Sequence, residues 1–211
     1  MKPTFNFKYY KETSLILLII ILYILSESLI KFLDSLLESY DFEYHRFYPA
    51  TILLAMIFGF INYHLHKIPF LWNLLIKVPL IRGKYEGFIY YTIDGVEMNK
   101  KCTAIINQTT SKIKINSRFW NEGKKKKVVV ASETPSESLV EDFVLNASDV
   151  YELHFYYRNG GNHNSTIPIK EGYNVLKYNK KDKLLEGHYF SKNSITVGNG
   201  GKIKINYKGK I

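Results

Sequence analysis

The 211-residue sequence predicts a membrane-anchored all-β protein, in which two N-terminal transmembrane α-helices precede a small closed antiparallel β-barrel of about eight strands. Three observations carry this expectation. Apolar runs long enough to cross a bilayer fall within residues 1–66. From Arg82 onward the hydrophobic period drops from helical to alternating, with turn residues between short runs. The formal charge is also split: of the net +10, residues 1–80 carry +1 and the remainder +9. The mean hydropathy of −0.14 is therefore an average over two unlike regions.

The first span is built around Leu15 to Leu25, LILLIIILYIL, and extends from Thr13 to Leu33. Those roughly 21 residues make about 31 Å of helix, enough for a hydrocarbon core. Glu27 and Lys31 are the cost. Ten aliphatic residues at about −0.5 kcal/mol each outweigh one carboxylate at about +3 kcal/mol, and Lys31 stands at i+4 as a partner. The second span, Phe47 to Leu65, has no formally charged residue, with Phe47 and Tyr48 at one interface and Tyr63 near the other. Ala55 and Gly59, small and four apart, offer it a helix–helix contact, and Glu27 with Lys31 offers the first span another. A cleaved signal peptide is disfavoured because no small-x-small site follows the first run and a second span does.

Orientation follows from the flanks. Lys2, Lys8 and Lys11 precede the first span and Lys67, Lys77, Arg82 and Lys84 follow the second, whereas Asp34, Glu38, Asp41 and Glu43 crowd the connection with one arginine, Arg46. The positive-inside bias puts both termini in the cytoplasm. Residues 67–81, with Pro69, Trp72, Lys77 and Pro79, read as an interfacial helix, a packed collar or a simple linker. His64 and His66 are two apart on a helix, do not share a face and read as interfacial anchors, not as a metal site.

The region 82–211 reads as the barrel. Alternation marks strands at Lys84 to Ile93, Cys102 to Gln108, Lys112 to Arg118, Tyr151 to Arg158, Tyr173 to Tyr178, Leu184 to Phe190 and Lys202 to Tyr207. Asp94-Gly95, Asn121-Glu122-Gly123, Asn159-Gly160-Gly161-Asn162 and Asn199-Gly200-Gly201 are the turn signals between them. Lys124 to Leu145 fits two strands, or one strand and a short helix, so the count is eight or nine. Short strands joined by hairpins need a sandwich or a closed barrel to hide their edges. Tyrosine at alternating positions favours an interior that holds a ligand over one filled by aliphatic side chains.

Several function classes are excluded. One cysteine, Cys102, rules out an internal disulfide, and 17 Tyr, 13 Phe and 2 Trp rule out a disordered chain. There is no G-x-S-x-G elbow, phosphate-binding loop or H-E-x-x-H. Cys102 in an alternating strand reads as a core residue, and His154, His163 and His188 have no metal-ligand spacing. The chain therefore reads as a binding or effector protein without catalytic residues, metal or cofactor. The basic run Lys124 to Lys127 fits a solvated hairpin tip or a headgroup contact. The +9 surplus suits a phosphate-bearing small molecule or an acidic leaflet, and no DNA or RNA polymer is expected.

The order of motifs behind the two spans is similar to one family. Ile106, Gln108, Lys112, Ile113 and Ile115 form I-x-Q-x-x-x-K-I-x-I; Leu153, Phe155, Tyr157 and Asn159 form L-x-F-x-Y-x-N; Leu185, Gly187, Tyr189 and Phe190 form L-x-G-x-Y-F; Gly201, Ile203 and Ile205 form G-x-I-x-I. Over nearly its whole length the chain resembles the two-transmembrane β-barrel effectors of bacterial CBASS anti-phage defence, the CD-NTase-associated protein 15 family. It departs from that pattern at Lys170-Glu171, where the family favours histidine.

The resemblance implies a cytoplasmic barrel that binds a cyclic dinucleotide made by a paired nucleotidyltransferase. It also implies oligomerisation of the membrane segments, disruption of the bacterial inner membrane and cell death. Tyr85, Tyr157 and Tyr189 share parity with Gly87, Phe155 and Gly187 and are expected to face inward and stack on bases. Gln108 and Asn159 are the expected readers of base edges, and Arg118 and Arg158 the expected phosphate ligands. The competing readings are a membrane-tethered, lipocalin-like carrier of an apolar ligand and a constitutive structural protein with a filled barrel.

Overall fold

The computed structural model describes residues 7–38, 50–93, 95–120, 134–159, 170–191 and 200–211. Phe47, Tyr48, Lys124 to Lys127, His163 and the side chain of Asn159, all singled out above, lie outside what is described. The chain divides into two compact units, residues 1–77 with Thr109–Ser111, and residues 78–108 with 112–211.

In the first unit, α1 runs from Glu12 to Glu38. Its 27 residues, about 40 Å, exceed the thickness of a hydrocarbon core. Burial separates a span from the core helix of a soluble protein: only 11% of the apolar window of α1 is buried, and Ile16, Leu17, Ile20, Ile24, Leu25 and Phe32 are exposed. Leu22 and Ser26 are the exceptions. The Ser26 hydroxyl donates to the Leu22 carbonyl at 2.7 Å, so the helix backbone satisfies it.

Of the second expected span, Phe47 to Leu65, residues 50–65 are described, and α2 covers Ala50–His64, 15 residues and about 22 Å. A 3-10 turn, Leu65–Lys67, follows it, and then α3, Pro69–Leu75, with Pro69 in the first turn, where a missing N–H costs nothing. The two helical stretches meet at 116°, so α1 alone is a straight helix of spanning length among the described residues.

Glu27 is half-buried and Lys31 exposed on α1. Residues 67–81 are not a simple linker. Trp72, Leu75 and Ile76 are buried, as are Tyr9 and Tyr10, and Tyr10 pairs with Ile76 in an isolated bridge. The carbonyls at the end of α3 are capped from sequence-distant residues, by Lys11 Nζ on Asn73 (2.7 Å) and Ser14 Oγ on Leu74 (3.1 Å).

The second unit is a closed barrel of eight antiparallel strands joined in sequence order. They are β1 (Gly83–Ile93), β2 (Val96–Gln108), β3 (Ile113–Trp120), β4 (Thr134–Leu145), β5 (Tyr151–Asn159), β6 (Lys170–Asn179), β7 (Leu184–Ser191) and β8 (Gly200–Gly209). Pairing of β1 with β8 closes the sheet and removes both edges. The ambiguous stretch before Leu145 resolves, from Thr134, into the single strand β4. A bulge at Leu139 interrupts it, since Ser138 faces Tyr157 while Val140 faces Tyr156. We call the end where β1 begins proximal and the opposite end distal.

The proximal half of the lumen is packed solid. Tyr85, Ile106, Ile113, Phe143, Leu153, Leu176 and Leu185 are all buried to 1% exposure or less, except Leu176 at 2%. Gln108 sits among them at 0%. Its amide oxygen accepts the Ile81 N–H at 2.6 Å and its amide nitrogen donates to the Pro79 carbonyl at 3.1 Å. The Tyr85 hydroxyl donates to the Ile81 carbonyl at 2.9 Å. The chain leading into β1 is thereby pinned across the proximal end.

Candidate functional site

Antiparallel register places one continuous row of inward positions across the distal half. From β4 to β2 it reads Glu141, Phe155, Asn174, Tyr189, Gly201, Tyr91 and Met98, each the direct partner of the next. A second row, Ser138, Tyr157, Gly172 and Ser191, lies beside it. Inward positions that are aliphatic in the proximal half are therefore hydroxyl, amide, carboxylate and phenol here. At the distal rim β1, β2, β7 and β8 border a cavity of about 500 Å³ that straddles the wall, with Tyr90, His188, Phe190 and Lys202 on its outer side. Tyr91, Tyr189, Ser191 and Gly201 belong to its wall, and the first row continues from them across β6, β5 and β4.

Two of the tyrosine rings lie over glycine. A Cβ on Gly172 would stand 2.5 Å from the Tyr157 hydroxyl oxygen and 2.6 Å from Cζ, and one on Gly201 would stand 2.8 Å from the Tyr189 Cζ. Real side chains do not approach so closely, so these two positions require glycine if the rings are to lie flat along the wall. Burial raises the Tyr157 phenol to about 12, with Tyr189 nearby adding to the effect and a hydrogen bond with Ser191 opposing it. Burial raises Tyr189 as well, with Tyr91 contributing. Both hydroxyls are neutral donors at physiological pH.

Polar groups on the far side of the row are unevenly satisfied. The Ser138 hydroxyl accepts the Ile115 N–H at 2.8 Å and donates to one carboxylate oxygen of Glu141. Asn174 is 3% exposed, yet its amide makes no hydrogen bond among the described residues. One cation shares the inward parity of β2: Lys100, in register with Ile89, holds its ammonium 5.5 Å from the centre of the Tyr91 ring.

The sequence-derived candidates distribute as follows. Tyr85, Tyr157, Tyr189 and Gln108 face inward, but Tyr85 and Gln108 lie in the packed proximal half with their polar atoms bound to backbone. Asn159 takes an inward register position opposite Lys170. Arg118 and Arg158 are exposed on the outer parity. Arg158 is committed to Glu171, Nε at 2.8 Å and Nη2 at 2.7 Å, and Glu171 also accepts the Tyr156 hydroxyl at 2.6 Å. In the helical unit Ala55 is exposed and Gly59 half-buried.

Glu141, Asn174, Ser138, Tyr91 and Lys100 were not among the candidates. Parity alone finds Tyr91 and Lys100, from Tyr85 and Cys102 respectively. Asn174 is reachable from Leu176 and Tyr178 in the same way. Glu141 is reachable from Phe143, whereas Ser138 is not, because the bulge at Leu139 reverses the parity of β4 between them.

No curated protein matches the chain. Residues 76–206, which include β1 to β7 and most of β8, match the family model described as Cap15, cyclic dinucleotide receptor domain. That match covers more than half of the chain and falls on the barrel whose distal lumen carries the aromatic and polar rows, so the chain belongs to the Cap15 family of cyclic dinucleotide receptors.

Proposed function

We propose that a cyclic dinucleotide binds in the distal half of the lumen and that binding drives the membrane segments together, disrupting the bacterial inner membrane in a CBASS anti-phage response. The observation that carries the reading is a contrast along the lumen: in the close-packed proximal half the Tyr85 phenol and the Gln108 amide are bound to backbone, whereas phenols, an amide and an ammonium line the distal half. Stacking on Tyr91, Tyr157 or Tyr189 is worth about 1–3 kcal/mol per base. Lys100 supplies the charge-assisted bond that a phosphate needs. On this reading the phosphate contact lies inside the wall, with Arg118 and Arg158 exposed on its outer face.

A carrier of an apolar ligand would need an apolar cavity, yet the apolar half is where side chains are most completely buried. The barrel on this reading is a receptor and not an enzyme. Its partners are a nucleotidyltransferase that supplies the ligand, the inner membrane and further copies of the chain. Both termini lie in the cytoplasm, and α1, with the bent α2–α3 segment as a second crossing, forms the anchor.

The test is thermal shift of the full-length chain in detergent against cyclic di- and trinucleotides. A rise of several degrees with one member and none with linear nucleotides is expected, since tight binding to the folded state alone raises its stability. No rise with any cyclic member refutes the receptor site. For the membrane step, Glu27→Leu is expected to keep binding and lose membrane damage in cells, and damage retained at equal expression refutes a role for Glu27.

A further inference from the structure

We infer that Glu141 and Asn174 together read the donor-rich edge of a guanine, making this receptor selective for cyclic dinucleotides that contain that base. The inference rests on the lumen being the ligand site and goes further by naming the base.

Asn174 is nine-tenths buried and faces inward, and its amide has no hydrogen-bond partner among the described residues. Neither amide atom is sealed off from solvent, so the small exposed part of Asn174 includes the amide, which an arriving group can reach. The proximal amide Gln108 shows how the same barrel treats an amide that is purely structural: both ends are bound. The Asn174 amide is therefore matched to a group that arrives from outside.

Glu141 lies in the same register row, separated from Asn174 by Phe155, with the two backbones about 10 Å apart. Because the Ser138 hydroxyl takes the Ile115 N–H on its oxygen, its own proton is directed to Glu141. One carboxylate oxygen is thus fixed, and the other has no protein hydrogen bond among the described residues. A carboxylate is an acceptor only. Facing a ligand with two phosphates, it repels them and tolerates only a part of the ligand that presents donors.

The four bases differ at that point. Adenine and cytosine set a ring-nitrogen acceptor beside their amino donor, which would oppose the carboxylate. Uracil presents one N–H between two carbonyls. Guanine alone presents two adjacent donors, N1–H and the N2 amino group, followed by the O6 acceptor. The donors satisfy Glu141 and the O6 acceptor satisfies the Asn174 NH₂, so both protein groups find partners in one base and Phe155 lies between them.

The experiment measures binding of the full-length chain in detergent to three synthetic cyclic dinucleotides: di-guanine, guanine–adenine and di-uracil. The unmodified chain is expected to bind the guanine-containing pair at least about tenfold more tightly, as one charge-assisted hydrogen bond provides. Glu141→Gln removes the charge at constant shape and should erase most of that preference while leaving di-uracil within about threefold. Asn174→Leu, which breaks no protein hydrogen bond, should reduce the preference through the second residue. A chain that prefers di-uracil, or variants that keep the original preference, overturn the base assignment and leave the receptor site standing. Binding of none of the three, or of any member of the wider cyclic panel, overturns the site itself.

Discussion

Gln108 and Asn174 are both primary amides, buried to the same degree inside one barrel, and differ in what their hydrogen-bonding atoms meet. Gln108 closes the proximal end through Ile81 and Pro79, while Asn174 faces the distal lumen without a protein partner. The contrast extends to the tyrosines. The Tyr85 hydroxyl is bound to backbone inside the packed half, whereas Tyr157 and Tyr189 lie over glycines along the distal wall. Burial alone therefore does not separate structure from function in this lumen, and satisfaction does. A group that the fold needs is paired by the fold, and a group kept for a ligand is left open to solvent until the ligand comes.

The largest effects should come from exchanging those roles. Gln108→Leu strands the Ile81 N–H and the Pro79 carbonyl, at about 1–3 kcal/mol each, for a loss near 3 kcal/mol and a drop of about 10 °C in melting temperature. Asn174→Leu strands nothing. It should hold or raise the melting temperature while weakening cyclic dinucleotide binding at least about tenfold. The comparison breaks if the two variants give the same pattern in thermal melts and binding titrations. Next in size is Gly172→Ala. The new Cβ meets the Tyr157 phenol and the Phe190 carbonyl, for about 2 kcal/mol of overpacking and a displaced ring. Affinity should then fall beyond what the stability change accounts for, because the stacking surface itself has moved.

Much of the barrel was legible because a half-buried strand alternates with period two. Tyr85, Tyr157 and Tyr189 were placed inward by parity, and the meander of hairpins followed from turn residues. The site was less legible for three physical reasons. A bulge at Leu139 adds one residue to β4, so side chains before and after it alternate out of step, which hides Ser138 from a pattern of alternation started at Phe143. A polar residue at an inward position, such as Asn174, has the same letter as one on the solvent face. Arginine attracts attention as a phosphate ligand wherever it stands, although the parity of Arg158 beside Tyr157 already placed it outside. The bend after the second apolar run was not legible, because an uncharged run fixes composition, whereas the helix gives way to a 3-10 turn after His64.

Titration sharpens the contrast with a smaller effect. Burial lifts Tyr157 from 10.0 to about 12 and also lifts Tyr178 and Tyr189. A phenol whose folded value lies above its unfolded one contributes stability that is complete below pH 10 and lost as pH rises toward 12. The melting temperature should therefore be level up to pH 10 and fall above it, and Tyr157→Phe should flatten that fall. An equal fall in the variant would remove Tyr157 from the buried set. Cys102, pushed up to about 12 by burial, should resist alkylation at pH 8 in the folded chain and react on unfolding.

The smallest effects belong to the arginines on the outer face, and they test the wall that separates the two sides of the barrel. Arg158 is exposed, and its pairing with Glu171 is a surface contact worth at most about 1 kcal/mol. If phosphates are held inside, Arg158→Ala and Arg118→Ala should each change affinity by less than about threefold, a difference under 0.7 kcal/mol on the scale where tenfold is about 1.4. Lys100→Ala should cost far more, because an inward ammonium has a desolvated phosphate as its counterpart. A tenfold loss from either arginine with Lys100→Ala silent would move the phosphates to the outer face. The pairing of aromatic and polar rows in the lumen would then have to serve the bases alone.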